Sequence, residues 1–149
     1  MAAVTQSDRV LIADDNPQGL ELLEAYLSET DYEIRTATDG EDTLRKVADW
    51  HPDLILLDIM MPKISGFEVC KRLRADPATA DIVVLMVTAL DQPIDSERAV
   101  EAGANDFLTK PINKTELLLR VRSALASRSQ KGALSQTLAY MEGVEREQP

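Results

Sequence analysis

The chain is nearly without cysteine: Cys70 stands alone among 149 residues, so no intrachain disulfide can form, and a reducing cytoplasm is the expected location. Histidine is as scarce. His51 is the single one, and no other imidazole is present to build a histidine metal site or a relay with it. Long apolar runs are missing too. None approaches the roughly 18 residues needed to cross a bilayer, so no membrane span is expected. Residues 1–8 are small and polar, with no apolar leader core, and are expected to be disordered. Positive charge is in deficit: 16 Lys and Arg against 26 Asp and Glu leave a net charge of −10. Such a chain is repelled by nucleic-acid phosphates, so it is not expected to bind them through its overall field. From Ser127 onward the charges balance, with Arg128, Lys131 and Arg146 against Glu142, Glu145 and Glu147. The whole excess therefore lies in the first 126 residues.

What is present is alternation. Val10–Ala13, Leu54–Leu57 and Ile82–Val87 are continuous apolar runs, and Tyr32–Ala37 and Asp106–Thr109 are mixed ones. Between them lie helical patterns. Asn16-Pro17 opens the first, with Leu20, Leu22, Leu23, Tyr26 and Leu27 at helical spacing. Asp39 opens the second, with Leu44, Val47 and Ala48 expected on its inner face, and His51-Pro52 closes it. Phe67, Val69, Cys70 and Leu73 mark the third, which stops near Asp76-Pro77. A polar stretch, Asp91 to Asp95, leads into a short fourth helix through Ala99 and Val100, closed by Gly103. Asn113 or Thr115 caps the fifth, which carries Leu117, Leu118, Val121 and Leu125.

Strict alternation of five strands and five helices predicts an α/β fold, a parallel sheet covered on both faces. The three wholly apolar strands belong in the middle and the mixed ones at the edges. That agrees with the order 2-1-3-4-5, the flavodoxin-like doubly wound arrangement, which is the expected fold. Ligands in such sheets bind beyond the carboxyl ends of the strands. Asp14-Asp15, Asp58, Thr88 and Lys110 follow four of the five strands, so the topology delivers them to one rim. Carboxylates held together repel, and a hard divalent cation with oxygen ligands, Mg2+ above all, relieves that repulsion. Carboxylates, a cation, an ammonium and a hydroxyl suit a transferring phosphoryl group. One of the carboxylates can itself be the nucleophile.

The fragments "LIADDN", "LILLDIMMPKISGFEVCKRLR", "VVLMVTAL" and "AGANDFLTKPI", in this order and spacing, resemble the receiver domain of two-component response regulators over residues 9–127. The resemblance implies a phosphoacceptor switch. Asp58 would take a phosphoryl group from a phosphohistidine on a histidine kinase or histidine phosphotransfer protein. Asp15, with Asp14 through water, Asp58 and the Met60 backbone carbonyl would bind Mg2+, or Mn2+ in its place. Lys110, Thr88 and the Ala89 backbone would hold the phosphoryl oxygens. Thr88 and Phe107 would form the switch, and the Lys110–Pro111 peptide would be cis. Many relatives carry Tyr at the Phe107 position; here no hydroxyl is available. Met60 and Leu90 flank the path of attacking water in the family, and two large apolar side chains predict slow dephosphorylation. Output would run through the face of helix 4, strand 5 and helix 5, where Arg98, Asp106, Lys114, Arg120 and Arg122 can supply charged contacts and a homodimer can form.

Plainer roles stand beside these. Asp14-Asp15 can be a turn and cap, Lys110 a surface lysine, and His51 a loop residue. Cys70 and Trp50 read as packing. Residues 128–149 carry Leu134, Leu138 and Met141 at helical spacing, interrupted by Gly132 and Gly143. They form either a frayed extension or a linker, the linker being favoured. Two rival functions remain at this point. One is a small Mg2+-dependent phosphatase with an Asp nucleophile, although that class places an Asp-x-Asp pattern after its first strand. The other is a receiver-like binding module that is not phosphorylated.

Overall fold

The computed structural model describes residues 7–89 and 92–128. In chain order the elements are β1 (Arg9–Ala13), α1 (Pro17–Leu27), β2 (Glu33–Ala37), α2 (Gly40–Trp50), β3 (Leu54–Leu57), α3 (Gly66–Ala75), β4 (Val83–Thr88), α4 (Pro93–Ala102) and β5 (Asp106–Thr109). Residues 114–128 add a fifth helix, α5. The sheet is parallel throughout, in the order β2-β1-β3-β4-β5.

Side chains of a strand alternate between faces, and here both faces are dry. Leu11, Ala13, Ile55, Leu57, Val84 and Met86 pack under Val47, Trp50, Phe67, Cys70, Leu73 and Ala99 of α2, α3 and α4. Val10, Ile12, Leu54, Leu56, Leu85 and Val87 pack on Leu20, Leu23, Leu27, Leu117, Val121 and Leu125 of α1 and α5. A strand with two buried faces has no polar positions, hence the unbroken apolar runs.

Local signals set the helix starts. Asn16, Asp39 and Ser65 cap α1, α2 and α3 by accepting from the backbone N–H of Gln18, Asp42 and Glu68. Asn113 rather than Thr115 caps α5, accepting from the Glu116 N–H at 2.9 Å. Several expectations need correction. Helix α4 begins at Pro93, inside the stretch read as polar, because Pro fits a first turn and Asp95 accepts from the Gln92 N–H at 3.2 Å. Val100 points outward, 73% exposed, while Asp95, Ala99 and Ala102 are the buried residues. In α2 the inner face is Gly40, Thr43, Val47 and Trp50, and Ala48 is exposed. Both follow from the helical repeat, which admits only one stripe of residues three and four apart. Strand β2 starts one residue after Tyr32, and β4 starts one after Ile82 and includes Thr88. Leu90 and residues 129–149 lie outside the described residues.

Candidate functional site

Register builds the site. Ala13 pairs with Leu57 in the sheet, so the next residues on the two strands, Asp14 and Asp58, leave side by side. Backbone hydrogen bonds continue past the strands: Asp58 N–H to Ala13 O at 2.9 Å, Asp14 N–H to Ala37 O at 3.0 Å, and Lys110 N–H to Thr88 O at 2.7 Å. Each reactive side chain is therefore held by a ladder bond of its own backbone.

The Lys110 ammonium bridges two of the carboxylates. It lies 2.9 Å from Asp14 Oδ2 and 3.2 Å from Asp58 Oδ2. The other oxygens are also engaged: Asn16 N–H donates to Asp14 Oδ1 at 2.9 Å and Met60 N–H to Asp58 Oδ1 at 3.1 Å. Asp14 and Asp58 are buried, whereas Asp15 is exposed. One oxygen from each of the three lies within 4.8 Å of the others. Three hard oxygen donors at this separation fit a small divalent cation that keeps several waters, with Asp15 on the solvent side, where such waters enter.

Burial pushes the Asp58 carboxyl above the usual carboxylate value of 3.8; the Lys110 charge and the Met60 N–H pull it down without cancelling this, and the Asp14 charge adds to the rise. For Lys110, burial pulls the ammonium down, but the Asp14 hydrogen bond and the two carboxylate charges outweigh it and raise its pKa. The ammonium thus stays charged while the pocket resists a full complement of negative charge.

Thr88 is buried at the end of β4, and Ala89 follows it, exposed. Phe107 is half-buried against the core beneath α2, α3 and α4. The Lys110–Pro111 peptide is cis. Met60 is 63% exposed and Met61 is buried, so of these two methionines Met60 is the one that presents its side chain to solvent. Arg98 stacks on the Phe67 ring at 4.3 Å, Lys114 reaches Glu29 at 3.8 Å, and Arg120 pairs with Asp106 at 2.6 Å; Arg122 is exposed. His51 closes α2 in a left-handed conformation, away from the carboxylates. Cys70 is fully buried, and burial raises its thiol pKa, which makes it inert. A surface groove of about 890 Å3 lies toward the other end of the sheet, beside Arg74, Asn105, Arg120 and Arg128, and none of Asp14, Asp15 and Asp58 lines it.

Two residues that shape the site escaped the sequence analysis. A Cβ on Gly19 would sit 2.5 Å from Asp14 Oδ2, and one on Gly66 would collide with the Asp58 carbonyl oxygen. Both positions need hydrogen in place of a side chain because helix turns press on the acidic residues. The available signal was an isolated Gly within or at the start of a helical pattern.

Comparison with known proteins identifies the family. Residues 10–122 match the family model of the response regulator receiver domain. Response regulator PleD of Caulobacter vibrioides is 49% identical over 117 residues, 78% of this chain and 26% of that protein. The DNA-binding dual master transcriptional regulator RpaA of Synechocystis is 46% identical over 117 residues, 78% of this chain and 48% of that protein. The chain thus spans from about a quarter to a half of the length of these relatives. A crystal structure of a putative response regulator from Chloroflexus aurantiacus superposes with a TM-score of 0.78 at 38% identity, covering 81% of this chain and 99% of that one. The chain belongs to the response regulator receiver domain family.

Proposed function

We propose that this chain is a phosphoacceptor switch of a two-component or phosphorelay pathway, with Asp58 as the acceptor. One observation carries it: Asp58, on the rim of the sheet, shares a single ammonium with Asp14 and stands within cation-binding reach of Asp14 and Asp15. A solvated surface acid needs no such setting.

An Asp58 carboxylate oxygen bonds to phosphorus as the P–N bond of a phosphohistidine breaks. The departing imidazole takes up a proton from water, and an acyl phosphate remains on Asp58. Asp14, Asp15 and Asp58, with the Met60 backbone carbonyl, would hold Mg2+ (or Mn2+), which supplies positive charge against the phosphoryl oxygens. Lys110 offers a second positive charge and needs only to swing from the carboxylates to the new group. Thr88 and the Ala89 N–H add hydrogen bonds, and Phe107 fills the space that Thr88 leaves. Phosphorylation then biases a two-state equilibrium of the α4-β5-α5 face, read by a partner or by a second copy. On this reading residues 9–127 are the switch, residues 128–149 are a linker, and the donor is a histidine kinase or phosphotransfer protein in the cytoplasm. Among the described residues no helix is long and apolar enough to cross a membrane. The chain catalyses only its own phosphorylation and slow dephosphorylation.

Incubation with acetyl phosphate and Mg2+ tests the proposal. Stoichiometric incorporation into the wild type and none into Asp58→Asn is expected. Equal labelling of both proteins removes Asp58 from its role, and continuous turnover of a small phosphoester favours a phosphatase instead.

A further inference from the structure

The loop after Asp58 contains the least comfortable side-chain-bearing backbone at the rim. Lys63 has φ +72°, a left-handed value that a lysine rarely adopts. Its neighbours close a three-residue turn around it, Ile64 N–H donating to Pro62 O at 2.9 Å. Such a conformation persists only where the surroundings over-determine it, and three contacts do so. The base of the loop is tied by Gly66 N–H to Ile59 O at 2.8 Å. Its tip lies on α2, with the Ile64 carbonyl so close to Gly40 that no Cβ fits there. The Lys63 ammonium reaches back to α2 as well, 3.4 Å from Asp39 Oδ2 and 3.9 Å from Glu41.

Asp39 joins the two structures. Its Oδ1 caps α2, accepting from the Asp42 N–H at 2.7 Å, while Oδ2 faces Lys63. The Asp39 side chain is 18% exposed and that of Lys63 55% exposed, so the pair is open to solvent on the lysine side and has the modest strength of a surface ion pair. At the other end of the loop, Met60 N–H donates to the Asp58 carboxylate. The same loop thus touches α2 at its tip and the Asp58 carboxylate at its start.

We infer that Lys63 is a positioning residue: anchored on Asp39, it holds the turn that presents the Asp58 carboxylate and the Met60 backbone at the cation site. The inference rests on the proposed role of Asp58 and adds α2 to the elements that set its geometry. Asp39 lies outside the acidic cluster, so Lys63 and Asp39 act on the site through the loop between them and Asp58.

Three substitutions test it. Asp39→Ser keeps a capping oxygen for α2 but removes the carboxylate; Lys63→Met keeps the stem and removes the charge; Lys63→Arg keeps the charge. Mg2+ affinity is read by calorimetry with no phosphodonor present, Asp58 labelling by acetyl phosphate is read separately, and thermal unfolding without Mg2+ follows the fold. Asp39→Ser and Lys63→Met should each weaken Mg2+ binding by about two- to fivefold, the range such a pair supports. The double variant should be no worse than the poorer single one, Lys63→Arg should lie near the wild type, and the melting temperature should move little. Unchanged Mg2+ affinity in a wild type and variants that all label overturns this inference alone. A weakening that tracks lost melting temperature across the set also overturns it, because the pair is then merely structural. A wild type that neither binds Mg2+ nor labels removes the proposed function and this inference together.

Discussion

The Lys110 ammonium stands 3.2 Å from the Asp58 carboxylate, 52 residues earlier in the chain. This one contact joins the carboxyl ends of β3 and β5 and supplies the positive charge nearest Asp58. It does not satisfy the site fully, because Asp58 still holds its proton more tightly than an ordinary carboxyl does.

That residual strain has a pH signature. A raised folded-state pKa means that the folded domain binds the proton more tightly than the unfolded chain does, so ionising Asp58 destabilises the fold. Without a divalent cation, this contribution should fall as pH rises past 3.8 and stay low once the raised value is passed. Lys110 acts in another window. Its raised pKa contributes stability that is complete below 10.5 and is lost only as pH climbs through the folded value. Urea unfolding of Asp58→Asn against wild type, across pH, should show the variant more stable at neutrality and the gap closing in acid. A gap that widens in acid would show that the carboxylate is stabilising.

Gly19→Ala pits two effects against each other. Ala gains about 1 kcal/mol of helix propensity over Gly, but a Cβ placed 2.5 Å from Asp14 Oδ2 is overpacked by about 1–3 kcal/mol. The expected net loss is about 1 kcal/mol, with Mg2+ affinity several-fold weaker as Asp14 is pushed from Lys110. Urea unfolding and calorimetry measure both. A more stable variant would mean that α1 shifts freely.

Arg74 is a staple away from the rim. Its guanidinium donates to Ala80 O, Ile82 O, Gly103 O and Asn105 Oδ1, at 2.6 to 3.0 Å. It thereby ties α3 to the start of β4 and to the turn after α4. Arg74→Ala should lower stability by about 3 kcal/mol, less than four full charged hydrogen bonds because water enters the groove. Arg74→Lys should recover little, since an ammonium cannot reproduce the fork. Chemical unfolding reads both, and Asp58 labelling of the folded fraction should persist.

Met60 governs phosphoryl lifetime on the proposed reading. Its backbone N–H contacts Asp58 while its side chain, exposed at the rim, has no group able to hold water. Labelled wild type should lose its phosphoryl group slowly, and Met60→Gln, which can orient a water, should lose it several-fold faster. Decay of the acyl phosphate after removal of the donor measures both. Equal rates would dismiss the side chain as a barrier.

Much of this was legible in the residues. Leu54–Leu57 read as a strand buried on both faces, and Tyr32–Ala37, alternating polar and apolar, as a partly exposed edge. Where the alternation was weak, the sequence misled. Helix α4 has small and acidic residues on its buried face and Val100 outside, so hydrophobicity pointed the wrong way there. Ala48 misled for a related reason, because a small apolar residue is tolerated on either side of a helix.

The sequence by itself determined the layering, which strands are central and which are edges, and that Asp14, Asp15, Asp58, Thr88 and Lys110 follow strand ends. Run length, alternation and turn residues are local properties, and they separate buried strands from edge strands without ranking the buried ones. Only the tertiary structure decided that Lys110 bridges Asp14 and Asp58, that Gly19 packs against the Asp14 carboxylate, and that Lys63 lies 3.4 Å from Asp39. Those facts depend on register and on distances of a few ångströms between segments far apart in the chain, and no local pattern encodes a distance.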